Sequence, residues 1–397
     1  MLVGLVGCPS SGKSTFFAAA TLIDVARAAY PFTTIEPNKG VGFVRVECVD
    51  KEFNTQCNPR SGYCINHTRF VPVEMIDVAG LVPGAHEGKG LGNKFLDDLR
   101  QADVLIHVVD ASGSTNEKGE AVESGSHDPC KDVLFLEEEL ELWMLGILNS
   151  NFSKFSRSPA QSRQQTVEGL SKILSGLGVT EKQVDGALFH AKLTEKRALG
   201  WTPEDLRLFI HELRKISKPM VIAANKVDLP HAKENVEKMK KQFSHLLIIP
   251  CSSEAELTLK KAAKGEMIEY IPGQADFAPK KTLNEAQGQA LNYIRQKVLI
   301  PFSGTGVQRV LDETVFSSLK YVAIFPGGTK GLVDKNGNVL PDCYLMPPHS
   351  TTLDFAFRLH TDFGKNFIKA VDVKTRMLLG KDHTLKNRDV IEIISNK

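Results

Sequence analysis

Gly7-Cys8-Pro9-Ser10-Ser11-Gly12-Lys13-Ser14 is an uninterrupted GxxxxGK[ST] pattern, and it directly follows the apolar run Met1 to Val6. A strand that turns through such a loop into a helix commits the chain to an α/β sheet whose strand ends face a ligand. The glycines let backbone N–H groups turn inward around phosphate oxygens. Lys13 would reach the β and γ phosphates, Ser14 would offer its hydroxyl to Mg²⁺, and Thr15 follows beside them. The helix, expected from about Lys13 to Thr21, points the positive end of its dipole at the same phosphates. The competing reading is a glycine-rich turn without a ligand.

A phosphate loop implies a nucleoside di- or triphosphate without choosing the base. Pro219 to Ala224 reads as a buried strand that ends in Asn225-Lys226-Val227-Asp228, an NKxD sequence. A carboxylate at Asp228 can accept from both N1–H and the exocyclic amine of guanine, a donor pair that adenine lacks. Two charge-assisted hydrogen bonds of about 1.5–3 kcal/mol each would discriminate by about a hundredfold or more. The stem of Lys226 is expected over the base, bracing the phosphate loop. A further apolar strand, His245 to Pro250, ends in Cys251-Ser252-Ser253, where Ser252 and Ser253 would back the base. Between the two motifs, the strand from Phe70 delivers Asp77 to its C-terminal end, where it can hold Mg²⁺ through a water. Gly80 can present its N–H to a γ phosphate. In Tyr30-Pro31-Phe32-Thr33-Thr34-Ile35-Glu36-Pro37-Asn38, Thr34 is favoured over Thr33 as a second Mg²⁺ ligand, against a solvated turn threonine.

In this order YPFTTIEPN, DVAGLVPGAHEGKGLGNKFL (Asp77 to Leu96) and NKVD resemble the Obg/YchF group of translation-factor-related GTPases, most of all its archaeal Obg-like type. Near the C-terminus, KGLVDKNGNVLPDCYLMPPHSTTLDFAFRLHTDFGKNFIKAVD and LKNRDVIEII are similar to a TGS domain, a small β-grasp module. The resemblance implies a monomeric, Mg²⁺-dependent switch that hydrolyses GTP to GDP and phosphate. It also implies contact with the ribosome or RNA through the TGS domain, with neither DNA nor a membrane as partner. In small GTPases a glutamine just after DxxG orients the attacking water. Here, as in the resembling group, the position is Leu81, whose side chain cannot do so. His86, in the stretch GAHEGKGLG, is therefore the candidate water-orienting residue, joining Lys13 and Gly80 as catalytic groups; an exposed loop histidine is the alternative. The resembling families usually carry Asn at the fourth phosphate-loop position, where its amide can help hold K⁺. Ser10 is shorter and a weaker ligand, which puts potassium activation in doubt. Members that prefer ATP have lost the guanine-reading acid, whereas Asp228 is kept, so GTP is favoured. The alternatives are a YchF-like ATPase acting in stress response or metabolism without RNA, and a phosphotransferase, which would need neither NKxD nor a DxAG switch.

The net charge of +2, with 42% hydrophobic and 24% charged residues, is ordinary globular usage and does not announce nucleic acid. No apolar run of about eighteen residues exists, so no membrane-spanning helix is expected. The phosphate loop starts so early that no signal peptide fits, and a cytoplasmic location is expected. The 7 cysteines are odd in number and argue against a disulfide framework. Cys48, Cys57, Cys64 and His67 cluster before the Asp77 strand. Their irregular spacing, with no CxxC pair, reads as a plain hairpin loop; zinc and a Cys57–Cys64 disulfide are the alternatives.

At 397 residues, two or three domains are the expectation. Strands at 1–7, 40–47, 69–77, 103–110, 219–225 and 245–250 alternate with helices, which predicts a doubly wound, mostly parallel sheet with the nucleotide at the strand C-termini. Asp77 and Asn225 are much further apart than one strand–helix–strand unit requires. Ala111 to Gly125 is small and polar and reads as a flexible loop, and helices are expected at 132–149, 160–175, 180–197 and 203–216. The last of these opens with Thr202-Pro203-Glu204-Asp205, an N-cap followed by proline and acids. We read 113–215 as a helical insertion in a G domain spanning 1–320, either a partner-binding arm or extra core helices. Thr282-Leu283-Asn284-Glu285 resembles a capping box opening a helix to about Val298, and another helix is expected around 306–319. Residues 321–397, short strands and turns, form the TGS β-grasp domain, expected to fold compactly on its own. From Pro326 on, 11 Lys and Arg stand against 8 Asp and Glu, a mild excess that alone would not suggest RNA. Lys365, Lys369 and Lys374 are the local candidates for phosphate contact, against a solvated surface.

Overall fold

The structure, a computed structural model, describes residues 1–22, 38–78, 98–157, 162–329, 331–334 and 336–396. The chain divides into two compact units, each assembled from separate stretches: Met1–Ala19, Glu74–Thr258 and Asn284–Val307 in one, and Ala20–Val73, Leu259–Leu283 and Gln308–Lys397 in the other.

The first unit is built on parallel strands. Leu2–Val6 pairs on one side with residues 74–77 and on the other with Val104–Asp110. Val104–Asp110 pairs in turn with Met220–Asn225, and that strand with Leu247–Pro250. The register sets Leu5 beside Asp77 and Asp110 beside Asn225, so polar residues gather at the carboxyl ends. Val104–Asp110 and Met220–Asn225 are buried at every position. Continuous burial, without alternation, is what a parallel strand covered on both faces demands.

The helices between Asp110 and Met220 are Pro129–Ser156, Arg163–Ile173, Glu181–His190 and Pro203–Ser217. Their apolar faces do not form a core of their own. Leu136, Leu140, Trp143, Leu148, Leu170, Val184 and Leu213 belong to the same buried cluster as Val6, Ile76 and Leu105 of the sheet. Trp201 ties the group together, stacking on Phe152 and meeting Phe209, both at 5.5 Å between ring centroids. Arg214, almost wholly buried, is neutralised by Glu137 at 3.0 Å and Glu141 at 3.2 Å from the longest helix.

Three expectations need correction. The helix expected at 180–197 stops at His190, because Lys192 takes a φ of +57°, a left-handed conformation that ends an α-helix. The capping box lies two residues downstream of the expected one: Asn284 is the N-cap, exchanging hydrogen bonds with Gln287, and the helix is Glu285–Ile294. The polar stretch 111–125 is knitted together: Asn116 Oδ1 accepts from the N–H groups of Lys118 and Glu120, and Ser124 Oγ donates to Pro230 O.

The second unit contains the strands Lys39–Glu47, Tyr63–Ile65 and the first half of Thr68–Asp77, the last two forming a hairpin through Asn66 and His67. Its other sheet runs in the order Tyr344–Met346, Val322–Pro326, Val390–Ser395, Phe367–Asp372, Leu378–Leu379. Val322–Pro326 and Val390–Ser395 lie parallel at its centre, and every other pair is antiparallel. The helix Thr352–Leu359, capped by Thr351 and Asp354, sends Phe355 into a small core with Ile324, Met346, Ala370 and Ile391. A sheet with parallel central strands and one covering helix is the β-grasp arrangement expected for the C-terminal residues. It is also fastened to the hairpin: buried Arg69 donates to Leu340 O at 3.0 Å and Pro341 O at 2.9 Å.

Candidate functional site

At the carboxyl edge of the first unit's sheet, the loop after Leu2–Val6 wraps back on itself and delivers Lys13 to the start of the helix Lys13–Thr21. Gly12 takes a φ of +94°, and a Cβ there would lie 2.2 Å from Asn225 Nδ2. Only glycine lets the loop pass so close to that amide. Ser11 Oγ is buried inside the cradle without a hydrogen-bond partner among the described residues. Cys8 is buried beside it, and burial pushes its thiol up to about 12, so it stays protonated and inert. An orphaned hydroxyl, a run of small residues and a helix N-terminus together fit a phosphate group.

Lys13 Nζ forms an ion pair with Asp77 Oδ1, and Ser14 Oγ donates to Asp77 Oδ2 at 3.3 Å. Strand register therefore puts a cationic amine, a hydroxyl and a carboxylate at one point. The two oxygen groups are hard donors of the kind Mg²⁺ selects.

Asn225 joins two loops. Its Nδ2 donates to Ser11 O of the phosphate loop at 3.0 Å, while its Oδ1 accepts from Ser253 N and Ser253 Oγ, both at 2.9 Å. The brace on the phosphate loop is thus Asn225, and Lys226 bonds elsewhere. Lys226, with φ +62°, turns its amine onto Asp110 Oδ2 at 2.9 Å. Ser252 N donates to Thr305 O at 2.8 Å, which holds the Ser252–Ser253 turn from behind. Asp228 is half-buried; Tyr293 OH donates to its main-chain carbonyl at 3.2 Å, and among the described residues its carboxylate has no hydrogen-bond partner.

Asp110, Tyr293 and Thr305 were not singled out by the sequence. Asp110 is fully buried and takes hydrogen bonds from Lys226, Ser112, Ser114 and Thr115. Burial pushes its carboxyl up, but those bonds outweigh burial and hold it below the usual range. The clustering of Ser and Thr just after the strand is the one trace of this hub in the sequence. Ser10 Oγ donates to Gly119 O at 2.9 Å, and Gly119 packs so close that a Cβ would lie 2.6 Å from Pro9. The 111–125 loop therefore covers one side of the phosphate loop. Thr34, Gly80 and His86 lie outside the described residues.

Comparisons with known proteins agree with this geometry. Residues 2–137 match the profile of the 50S ribosome-binding GTPase family, 223–327 that of the Obg-like GTPase YGR210-like, G4 motif-containing domain, and 333–395 that of the TGS domain. An uncharacterized GTP-binding protein of Methanocaldococcus jannaschii is 44% identical over 395 residues, 99% of each chain. The ribosome-binding ATPase YchF of Bacillus subtilis is 27% identical, with 100% of this chain and 99% of that protein covered. The crystal structure of a GTP binding protein from Pyrococcus horikoshii superposes over 100% of both chains with a TM-score of 0.79 at 37% identity.

Proposed function

The chain belongs to the Obg-like, YchF-related family of P-loop GTPases, with a helical insertion in its G domain and a C-terminal TGS domain, and from that premise we propose that it hydrolyses GTP to GDP and phosphate as a molecular switch. The observation that carries guanine selectivity is Asp228. Its carboxylate is half-buried and has no protein partner among the described residues, next to a loop locked to the phosphate loop through Asn225. A carboxylate so placed can accept two N–H groups at once, as guanine offers.

In this reading backbone N–H groups of Gly7 to Ser14, with Thr15, bind the phosphates. Lys13 supplies positive charge where the transferred group becomes more negative. Ser14, Asp77 and Thr34 would hold Mg²⁺, which when bound would neutralise charge on the terminal phosphates. Gly80 donates its N–H to the γ phosphate, and His86 orients the attacking water. Ser252 and Ser253 back the base, and Lys226, fixed by Asp110, lies against it. Ser10 is already engaged with Gly119 O, which supports a potassium-independent reaction. The G domain spans 1–320 and the TGS domain 321–397, and the TGS domain docks the switch on RNA or a ribosomal surface.

The name of the Bacillus relative, a ribosome-binding ATPase, makes ATP the reading to exclude. Equilibrium binding of GTP, GDP and ATP to the unmodified protein and to Asp228→Ala separates the two. We expect guanine nucleotides to bind about a hundredfold tighter than ATP, and the variant to lose that preference. Equal affinity for ATP in the unmodified protein would assign the ATPase reading instead.

A further inference from the structure

A second cluster of chemically active groups lies in the second unit. Cys48 follows the strand Lys39–Glu47, Asp50 sits in the short helical turn Val49–Phe53, Cys57 is in the loop beyond it, and Cys64 is in the strand Tyr63–Ile65. One ligand atom from each of the four lies within 4.8 Å of all the others. Cys48 Sγ and Cys57 Sγ are 3.5 Å apart, and Cys64 Sγ is 3.9 Å from Asp50 Oδ2. Cys48 and Asp50 are fully buried and Cys57 almost so.

We propose that this hairpin binds one zinc ion through the sulfurs of Cys48, Cys57 and Cys64 and a carboxylate oxygen of Asp50. A tetrahedral zinc with its usual bond lengths has sulfur–sulfur edges of about 3.8 Å and sulfur–oxygen edges of about 3.6 Å. The Cys48–Cys57 and Cys64–Asp50 separations lie within a few tenths of an ångström of those edges. Three sulfurs exclude Mg²⁺ and Ca²⁺ and select a thiophilic divalent cation. A Cys48–Cys57 disulfide would require the sulfurs to close to about 2.05 Å, and all the cysteines are free.

The surrounding groups are those that orient metal ligands. Asp50 Oδ1 is bonded to His67 Nδ1 at 2.9 Å, and Asp50 Oδ2 accepts from Cys57 N at 3.0 Å. Arg69 Nη1 donates to Cys57 Sγ at 3.5 Å. Three thiolates and one carboxylate carry two charges more than a divalent cation cancels, and the Arg69 guanidinium offsets one of them. The same guanidinium holds Leu340 O and Pro341 O, so the metal would organise the base on which the C-terminal sheet is fastened. The sequence marked the three cysteines with His67 and left zinc as an alternative; it missed Asp50, because turns, and no CxxC knuckle, bring the ligands together.

The test is metal content of the full-length protein. Reduced, metal-free protein is reconstituted with zinc, passed through a desalting column, and assayed by elemental analysis; cobalt replaces zinc in a parallel sample. The expected result is about one equivalent of zinc per chain. The cobalt form should show sulfur-to-metal charge-transfer absorption and the intense visible bands of a tetrahedral site. Cys64→Ser and Asp50→Asn should each weaken retention by about tenfold or more, and Cys343→Ser should leave it unchanged. Zinc below about a tenth of an equivalent in the reduced unmodified protein overturns the proposal. So does equal loss in Cys343→Ser, or an intact mass lower by two hydrogens that persists with zinc present. Should a variant not fold, the stoichiometry and cobalt spectrum of the unmodified chain decide alone.

Discussion

Asn225 works with both ends of one amide, its nitrogen on Ser11 O and its oxygen on Ser253. A neighbouring strand presents the opposite case. His107, in Val104–Asp110, is buried to 1% exposure, its Nδ1 has no partner among the described residues, and burial drives its pKa down to about 3. An unfolded histidine titrates near pH 6.5, so between the two values the unfolded chain binds more protons, and stability falls as pH falls. From pH 7 to pH 5 this one residue should cost about 2 kcal/mol. Urea unfolding at both pH values should show that loss in the unmodified protein, and His107→Leu should lack it. An equal loss in the variant would place the acid sensitivity elsewhere. His86, by contrast, is expected to act in chemistry and not in folding. Unassisted hydrolysis should be slow, about 10⁻⁴ to 10⁻² per second, because Leu81 cannot hold a water. His86→Ala should slow single-turnover hydrolysis further, while GDP affinity stays constant. Unaltered turnover would reduce His86 to a loop residue.

Among the elements, helix starts were the most legible because caps are local chemistry. Thr202 accepts from Asp205 N at 3.3 Å and Asp205 Oδ2 accepts from Thr202 N at 2.6 Å, just before Pro203. Lys196 adds a salt bridge to the same carboxylate. Thr202→Ala removes half of this box and should lower stability by about 1 kcal/mol, read as a shift of the denaturant midpoint at constant slope. A shift below about 0.3 kcal/mol would mean that packing alone starts the helix. Helix ends were less legible. The stop at His190 depends on a left-handed lysine that no propensity scale favours. The run Glu285–Ile294 passes into a π-turn over Arg295–Leu299, where Pro301 cannot supply the N–H that a regular helix needs.

On the scale of the molecule, the C-terminal module is the candidate for docking on RNA. Removing it would strip the acceptors from Arg69, which is fully buried, so a truncated chain would report instability as well as lost docking. Charge reversal is the cleaner experiment. Lys374 is already paired with Glu52 at 2.7 Å, which leaves Lys365 and Lys369 as the stronger candidates. Lys365→Glu with Lys369→Glu should abolish cosedimentation with ribosomal subunits at low salt and leave GTP affinity within about threefold. In the unmodified protein the association should weaken steeply with salt, as phosphate contacts do. Unchanged pelleting of the double variant would move docking to the insertion at 113–215.

The phosphate loop, NKxD and the strands that carry them were readable because each depends on contiguous residues, a glycine pattern, an apolar run or a cap. Alternation and spacing also marked the parallel sheet and the short C-terminal strands. What the sequence left open depends on residues far apart in the chain. Asn225 reaches Ser11, Lys226 reaches Asp110, Arg69 reaches Leu340, and the cysteines converge on Asp50, all through strand register and turns. A motif states which groups are available, but only the tertiary structure decides which buried donor meets which acceptor, because a buried polar group must take the partner that folding brings within about 3 Å.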